Sequence, residues 1–466
     1  MFSVFYDLET SDKNPIGQIL NYCFILVDES FSVIDELSGS VRLSRLQLPD
    51  CGAILANRIN VVDLQNSVED SEPEALSKIV CFLGGCIERA KSAVSLIGYN
   101  SSRFDLNFLR TSLIRNGFNP YFGGKLPGRD LLHAVQKAYL TFAPFRERVQ
   151  AQRQGEPRLS LSLETVAHAL GLLSGVQAHE SREDVLLTIK LAAWLKENAG
   201  VDVTSLDAYE GLKLHSTARS GSVYLVSEPQ YDLLEDSYVC LKPVTLLDAD
   251  KRSALWVDLQ RYSEHPTPSA VFWRSAAKHA FFTTGHAKED SYLKGLARGA
   301  LEQFRGVTLG NFFNKSTCDI EMDIYRLDFD GVDALREAIS SHSKGPLEAL
   351  KRGVEDAKVL WIRHQLALPG GNIQDERFAS MLRRYALHRY GGKLQLAKSI
   401  EGEGRPEEFH PTYSTLLKNL SQARDAAYAT SSLPDSRSSE DIALLNALEN
   451  YYKASDLIAV AGAELV

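Results

Sequence analysis

The chain is poor in the residues that staple small folds. Six cysteines occur in 466 residues, at Cys23, Cys51, Cys81, Cys86, Cys240 and Cys318. None forms a Cys-x-x-Cys pair, so neither a zinc knuckle nor a disulfide framework is supported, and a reduced compartment fits. Positive charge is also in deficit, with 51 Lys and Arg against 60 Asp and Glu and a net charge of −9. That excludes a basic nucleic-acid binder over its whole length, while a local basic groove stays open. No apolar run reaches the ~20 residues that cross a bilayer. The N-terminus reads as a strand rather than a basic and apolar leader. The expectation is a cytoplasmic protein with no membrane contact. No repeat of fixed period occurs.

What is present is ordinary for a soluble globular chain: 44% hydrophobic and 24% charged residues. A chain this long exceeds one core, so two to four domains are expected. The most informative stretch is the first. Phe2, Val4 and Tyr6 alternate with Ser3 and Phe5, as in a largely buried strand. The strand ends Asp7-Leu8-Glu9, and residues two apart point to one side. Two adjacent carboxylates are costly unless a cation neutralises them or one takes a proton. A hard divalent ion is the usual resolution. The triplet alone has little weight, because a chain with 60 acids in 466 residues carries about eight such triplets by chance.

The rest of the first two hundred residues reads as follows. Strands are expected at 18–28, 31–37 and 40–46, an antiparallel meander. Ser71-Glu72-Pro73-Glu74 opens a helix running to about 93. A short buried strand at 94–98 leads into a helix with Phe104, Phe108, Leu109 and Leu113 on its apolar face and Asp105 in its first turn. Another helix begins near Gly128-Arg129-Asp130. The charged stretch 146–158 reads as a loop. Ser162 caps a helix that Gly171 ends, and Ser181 to Asp184 opens a further helix just after His179. Beyond residue 201 short strands are broken by Pro, Gly and Asp. Beyond 345 the pattern is helical, with helices at 347–366, 376–390, 413–430 and 439–460.

Four acids and a histidine thus fall in order: Asp7, Glu9, Asp105, His179, Asp184. Each acid sits at a strand end or helix start that can converge on one sheet edge. Two-metal phosphodiester hydrolysis needs this set: carboxylates for two divalent ions and an imidazole to take a proton from water. The signatures are Asp7-Leu8-Glu9-Thr10, then Gly98-Tyr99-Asn100-Ser101-Ser102-Arg103-Phe104-Asp105, then His179 followed five residues later by Asp184. They resemble the DEDDh 3′→5′ exonucleases on a ribonuclease H-like fold. The stretch from Gly98 through Arg110 to Asn119-Pro120-Tyr121, with Arg129-Asp130-Leu131-Leu132, resembles the bacterial exonuclease I family in particular.

The resemblance implies an α/β chain: a ribonuclease H-like mixed-sheet nuclease domain over 1–200, an SH3-like β-rich domain over 201–345 and a helical domain over 346–466. It implies removal of 5′-mononucleotides from the 3′ end of single-stranded DNA, in repair and recombination, by a monomer using two Mg²⁺ ions, with Mn²⁺ as a substitute. Asp7, Glu9, Asp105 and Asp184 then hold metal, and His179 is the general base. Arg110 and Tyr121 fall on strand-contacting positions, with Asn100, Arg103 and Arg158 as further contacts. A second partner would be the C-terminal tail of single-stranded DNA-binding protein. The basic cluster Arg383, Arg384, His388 and Arg389 is either a solvated helix face or a phosphate or acidic-peptide contact. The chain departs from the family at Ser11-Asp12, at Ser162 where a basic residue is usual, and at Glu180-Ser181 after the histidine. The rival readings are an RNA-trimming exonuclease of the same superfamily and a catalytically inactive nucleic-acid-binding scaffold.

Overall fold

The computed structural model describes residues 2–13, 17–43, 48–115, 118, 122–152, 160–174, 180–205, 208–209, 220–228, 233–245, 252–275, 282–287, 291–307, 413–430 and 438–454. The first unit is a five-stranded mixed sheet flanked by helices. Its strands are β1 (Ser3–Thr10), β2 (Ile19–Val27), β3 (Val33–Ser40), β4 (Ser95–Gly98) and β5 (Gly128–Asp130), in the order β3-β2-β1-β4-β5. β1, β2 and β3 pair antiparallel, whereas β1, β4 and β5 run parallel. Of the last strand expected in the meander, at 40–46, Ser40 closes β3, residues 41–43 are not in a strand, and 44–46 lie outside the described residues.

Helices α1 (Cys51–Asn57), α2 (Val61–Ser67) and α3 (Glu72–Ala90) lie between β3 and β4. Helix α4 (Asp105–Arg115) follows β4. Helices α5 (Leu131–Thr141), α6 (Ala143–Ala151), α7 (Leu163–Leu170) and α8 (Ser181–Ala199) follow β5. α3 starts as the sequence specifies, with Ser71 and Glu74 closing a reciprocal capping box and Pro73 in the first turn. α7 is capped by Ser162, whose hydroxyl accepts from the Thr165 amide, and ends at Gly171 with φ of 71°. The reading of 146–158 as a loop is overturned up to Ala151. Phe145 and Val149 sit four apart and bury completely, so α6 forms from an amphipathic pattern hidden among charges.

Strand alternation sorts the core into two layers. Phe5, Cys23, Ile25 and Val27 pack on one face against α5 to α8. Val4, Tyr6, Phe24 and Leu26 pack on the other against α3 and α4. A third cluster joins distant parts of the chain. The last described helices, α11 (Tyr413–Thr430) and α12 (Ser438–Ala454), bring Leu416, Leu420, Leu445, Leu448 and Tyr452 against Leu20, Ile54, Val61 and Leu64. The Tyr452 hydroxyl donates to the Pro49 carbonyl, and Arg58 pairs with Asp441.

Between these parts lies a second, antiparallel sheet: β6 (Val223–Glu228), β7 (Leu233–Thr245), β8 (Arg252–Asp258), β9 (Val271–Ser275) and β10 (Phe282–Ala287), ordered β10-β6-β7-β8-β9. One face packs against α9 (Leu259–Glu264) and α10 (Ser291–Gln303) through Val239, Leu255, Val257, Ala297 and Ala300. The expected helices at 347–366 and 376–390, with the cluster Arg383, Arg384, His388 and Arg389, lie outside the described residues. No described helix is long and apolar enough to cross a membrane.

Candidate active site

The site forms where β1 outruns its parallel neighbour. Phe5 pairs with Ile97, and β4 stops at Gly98, while β1 continues to Thr10. Asp7 and Glu9 therefore stand past the end of β4, at the carboxyl edge of the parallel strands, where open α/β sheets form their clefts. Alternation puts them on the same face as Phe5, the face that α8 covers. Asp184, in the first turn of α8, meets them there. One carboxylate oxygen from each of Asp7, Glu9 and Asp184 lies within 4.8 Å of the others.

The first turn of α8 is fixed to the sheet by polar contacts. The Ser181 hydroxyl donates to Asn21 Oδ1, and Asn21 Nδ2 donates to Ser40 Oγ at 3.0 Å. Asn21 is the cross-strand partner of Glu9. One residue on, Arg182 grips Glu36 of β3 through Nε at 2.7 Å and a terminal nitrogen at 3.2 Å.

Asp105 arrives from α4, whose apolar side chains pack on the opposite layer. The turn before it is tightly determined. A side chain at Gly98 would place its Cβ 2.6 Å from Ser101 Cβ and 3.0 Å from Tyr6 Cε1. Asn100 adopts φ of 55°, a left-handed conformation that asparagine tolerates better than most residues. Asp130 then locks the turn. It accepts from the Ser102 amide at 3.1 Å and hydroxyl at 2.6 Å, while its other oxygen caps α5 through the Leu132 amide. Asp105 is only 5% exposed.

Burial and mutual repulsion dominate the electrostatics. Burial, then the Asp184 charge, pushes Asp7 up to about 8. Burial, then Asp7 and Asp184, pushes Glu9 up to about 9. Asp105 is also raised well above the ordinary carboxylate range, by burial first and then by Asp7. Carboxylates crowded in this way hold protons at neutral pH unless cations replace them. The donor set, hard oxygens only, suits Mg²⁺ or Mn²⁺. Among the described residues this is the one group of three or more acids, histidines or cysteines with metal-binding spacing.

The other expected site residues divide into two groups. His179, Tyr121 and Arg158 lie outside the described residues. Asn100 and Arg103 are exposed beside the turn that carries Asp105. Arg110 is 6% exposed within α4. Asn21, Ser181 and Ser102 were not singled out by their residue types. Only their register and packing reveal them.

The chain as a whole resembles known proteins. No family model matches the sequence. Exodeoxyribonuclease I of Buchnera aphidicola subsp. Baizongia pistaciae is 27% identical over 199 residues, a match spanning 42% of this chain and 39% of that relative. The zinc-bound E. coli ExoI–ssDNA complex superposes with a TM-score of 0.57 at 18% identity, over 97% of this chain and 98% of that one. Exonuclease I from Methylocaldum szegediense, a moderately thermophilic enzyme, gives 0.58 at 17% identity, over 98% and 99%. The chain has the exonuclease I fold. That structural likeness covers nearly the whole length of both chains, whereas the curated sequence match spans less than half of either protein.

Proposed function

We propose that the chain is a 3′→5′ exodeoxyribonuclease that degrades single-stranded DNA to 5′-mononucleotides. The observation that carries this reading is the convergence of Asp7, Glu9 and Asp184 oxygens within 4.8 Å at the open end of β1. Asp7, Glu9 and Asp184 would hold divalent cations, with Asp105 beside them. When bound, two such ions activate the attacking water and stabilise the leaving 3′-oxygen. Mg²⁺ is the physiological choice in this reading and Mn²⁺ a substitute.

The chain's own groups supply the rest. His179 accepts the proton of the attacking water, a role suited to an imidazole near neutrality. Asn100 and Arg103, both exposed, would contact the phosphates or sugars of the strand. The fold shared with an ExoI–ssDNA complex supports DNA as the substrate. The wider reading is a cytoplasmic monomer in repair and recombination that also binds the tail of single-stranded DNA-binding protein, with domain limits near 200 and 345.

The deciding experiment digests 3′-labelled single-stranded DNA, double-stranded DNA and matched RNA, with Mg²⁺ and with chelator. Metal-dependent release of mononucleotides from single-stranded DNA is the expected result. Asp7→Ala should abolish cleavage and keep strand binding. Preference for RNA would overturn the substrate, and a wild type inert with both Mg²⁺ and Mn²⁺ would overturn the enzyme.

A further inference from the structure

The hydrogen bond between Ser181 and Asn21 occupies a position of mechanical advantage. Ser181 is the first residue of α8 and Asp184 the fourth. Residues three apart lie on one side of a helix, so both face the sheet. Ser181 is 1% exposed and its hydroxyl reaches Asn21 Oδ1. Asn21 is paired across the β1–β2 ladder with Glu9, so its side chain and that of Glu9 share a face. Asn21 is itself held, because its amide donates to Ser40 Oγ at 3.0 Å on the next strand. The chain Ser40–Asn21–Ser181 therefore crosses from β3 through β2 to α8 and ends one helical turn from Asp184.

This tether opposes a definite force. Asp184 approaches two other carboxylates to within 4.8 Å, and whenever these are ionised without a cation between them, like charges at that spacing push the helix end away from the sheet. Among the described residues, the Arg182–Glu36 pair, the apolar packing of Val185 and the Ser181–Asn21 bond oppose that displacement at the first turn. The ion pair is half exposed, so it contributes weakly. The Ser181–Asn21 contact is the more buried polar restraint, and it touches the strand opposite Glu9.

We propose that Ser181 and Asn21 are positioning residues that hold Asp184 at metal-binding distance from Asp7 and Glu9. The inference rests on the metal-dependent nuclease reading above. It predicts that losing the hydroxyl weakens divalent binding by about tenfold, the lower end of what partners of metal ligands contribute.

The test measures Mn²⁺ binding to the full chain directly, by calorimetry and by electron paramagnetic resonance, alongside kcat, KM for single-stranded DNA and thermal unfolding. Ser181→Ala should raise the Mn²⁺ dissociation constant about tenfold and leave the unfolding temperature of the chelated protein within a degree or two. Excess Mn²⁺ should restore kcat, with KM for DNA unchanged. Ser181→Thr keeps the hydroxyl and should bind Mn²⁺ like the wild type. Combining Ser181→Ala with Asn21→Ala should cost little more than the worse single change, because both break one bond. Wild-type binding of Mn²⁺ with an unchanged constant in Ser181→Ala would overturn the positioning role and leave the nuclease reading standing. Failure of Ser181→Thr to rescue would also overturn it. A wild type that binds no Mn²⁺ would overturn the metal site itself, and the positioning role with it.

Discussion

Removing one charge from the carboxylate cluster should stabilise the metal-free protein while destroying its metal affinity. Asp184→Asn is the sharpest version, because asparagine keeps the shape and removes the charge. In the folded protein Asp184 has oxygen atoms of Asp7 and Glu9 within 4.8 Å. At that spacing, with an effective dielectric constant of about 20, a fully ionised pair repels by about 3.5 kcal/mol. The protein relieves part of this by protonation, since Asp7 rises to about 8 and Glu9 to about 9. The recoverable share is therefore about 1–3 kcal/mol at alkaline pH.

The pH dependence follows from the direction of those shifts. A carboxyl whose folded value lies above its unfolded value near 4 contributes stability that is complete below pH 4. That contribution is lost as pH climbs through 8 and 9, where Asp7 and Glu9 must ionise against Asp184. Asp184→Asn should therefore match the wild type at pH 5 and exceed it at pH 9. At roughly 2–4 °C per kcal/mol for a domain of this size, the gain is about 2–12 °C. Thermal unfolding in chelator at the two pH values measures it. Adding Mn²⁺ should reverse the order, because binding to the native state stabilises only the protein that retains the site. A variant less stable than wild type at pH 9 without metal, or equally stabilised at pH 5, would refute the account.

Three further outcomes follow from the same geometry. Gly98→Ala drives a Cβ to within 2.6 Å of Ser101 and 3.0 Å of Tyr6, so the turn carrying Asp105 must shift; DNA cleavage should fall at least tenfold while circular dichroism stays native. Leu448→Ala empties a fully buried position between α12 and the first sheet and should cost about 2–5 kcal/mol, read by denaturant unfolding and by faster proteolysis within residues 51–67. His179→Ala should lower kcat by about 10²–10⁴-fold and leave Mn²⁺ affinity intact, which separates a proton acceptor from a metal ligand.

The first strand, its acidic end and the caps of α3 and α7 were legible because each is set by residues within one or two turns. Asp7-Leu8-Glu9 is read from its spacing at a strand end together with the acids and histidine that follow it, Ser71-Glu74 from reciprocal capping, and Gly171 from its position after an apolar run. What escaped was fixed elsewhere. β5 has three residues, too few for alternation, and exists because Leu96 to Gly98 supply a parallel ladder for Gly128 to Asp130. α1 and α2 have seven residues each and bury Ile54, Val61 and Leu64 against side chains some 350 residues away in sequence. The acids were readable by type, but their supports were not. Asn21 looks like any strand polar residue until the register sets it opposite Glu9 and beneath Ser181.

That dependence on distant chain reaches the acidic strand end itself. The Thr10 carbonyl, next to Glu9, accepts from Asn57 Nδ2 at 2.9 Å, and the Ser11 carbonyl accepts from the Asp50 amide at 2.8 Å. Both donors belong to α1 or its cap. A seven-residue helix is not stable by itself, since nucleation costs more than so few turns return. α1 therefore needs the surface that α12 provides, where Tyr452 holds the Pro49 carbonyl and Arg58 holds Asp441. Helices α11 and α12 share a hydrophobic cluster with the sheet that carries Asp7 and Glu9. The orientation of Glu9 is thus set by a wall built from the far end of the chain. A fragment cut near residue 200 would keep all four acids and lose the helix pair that steadies the strand holding two of them.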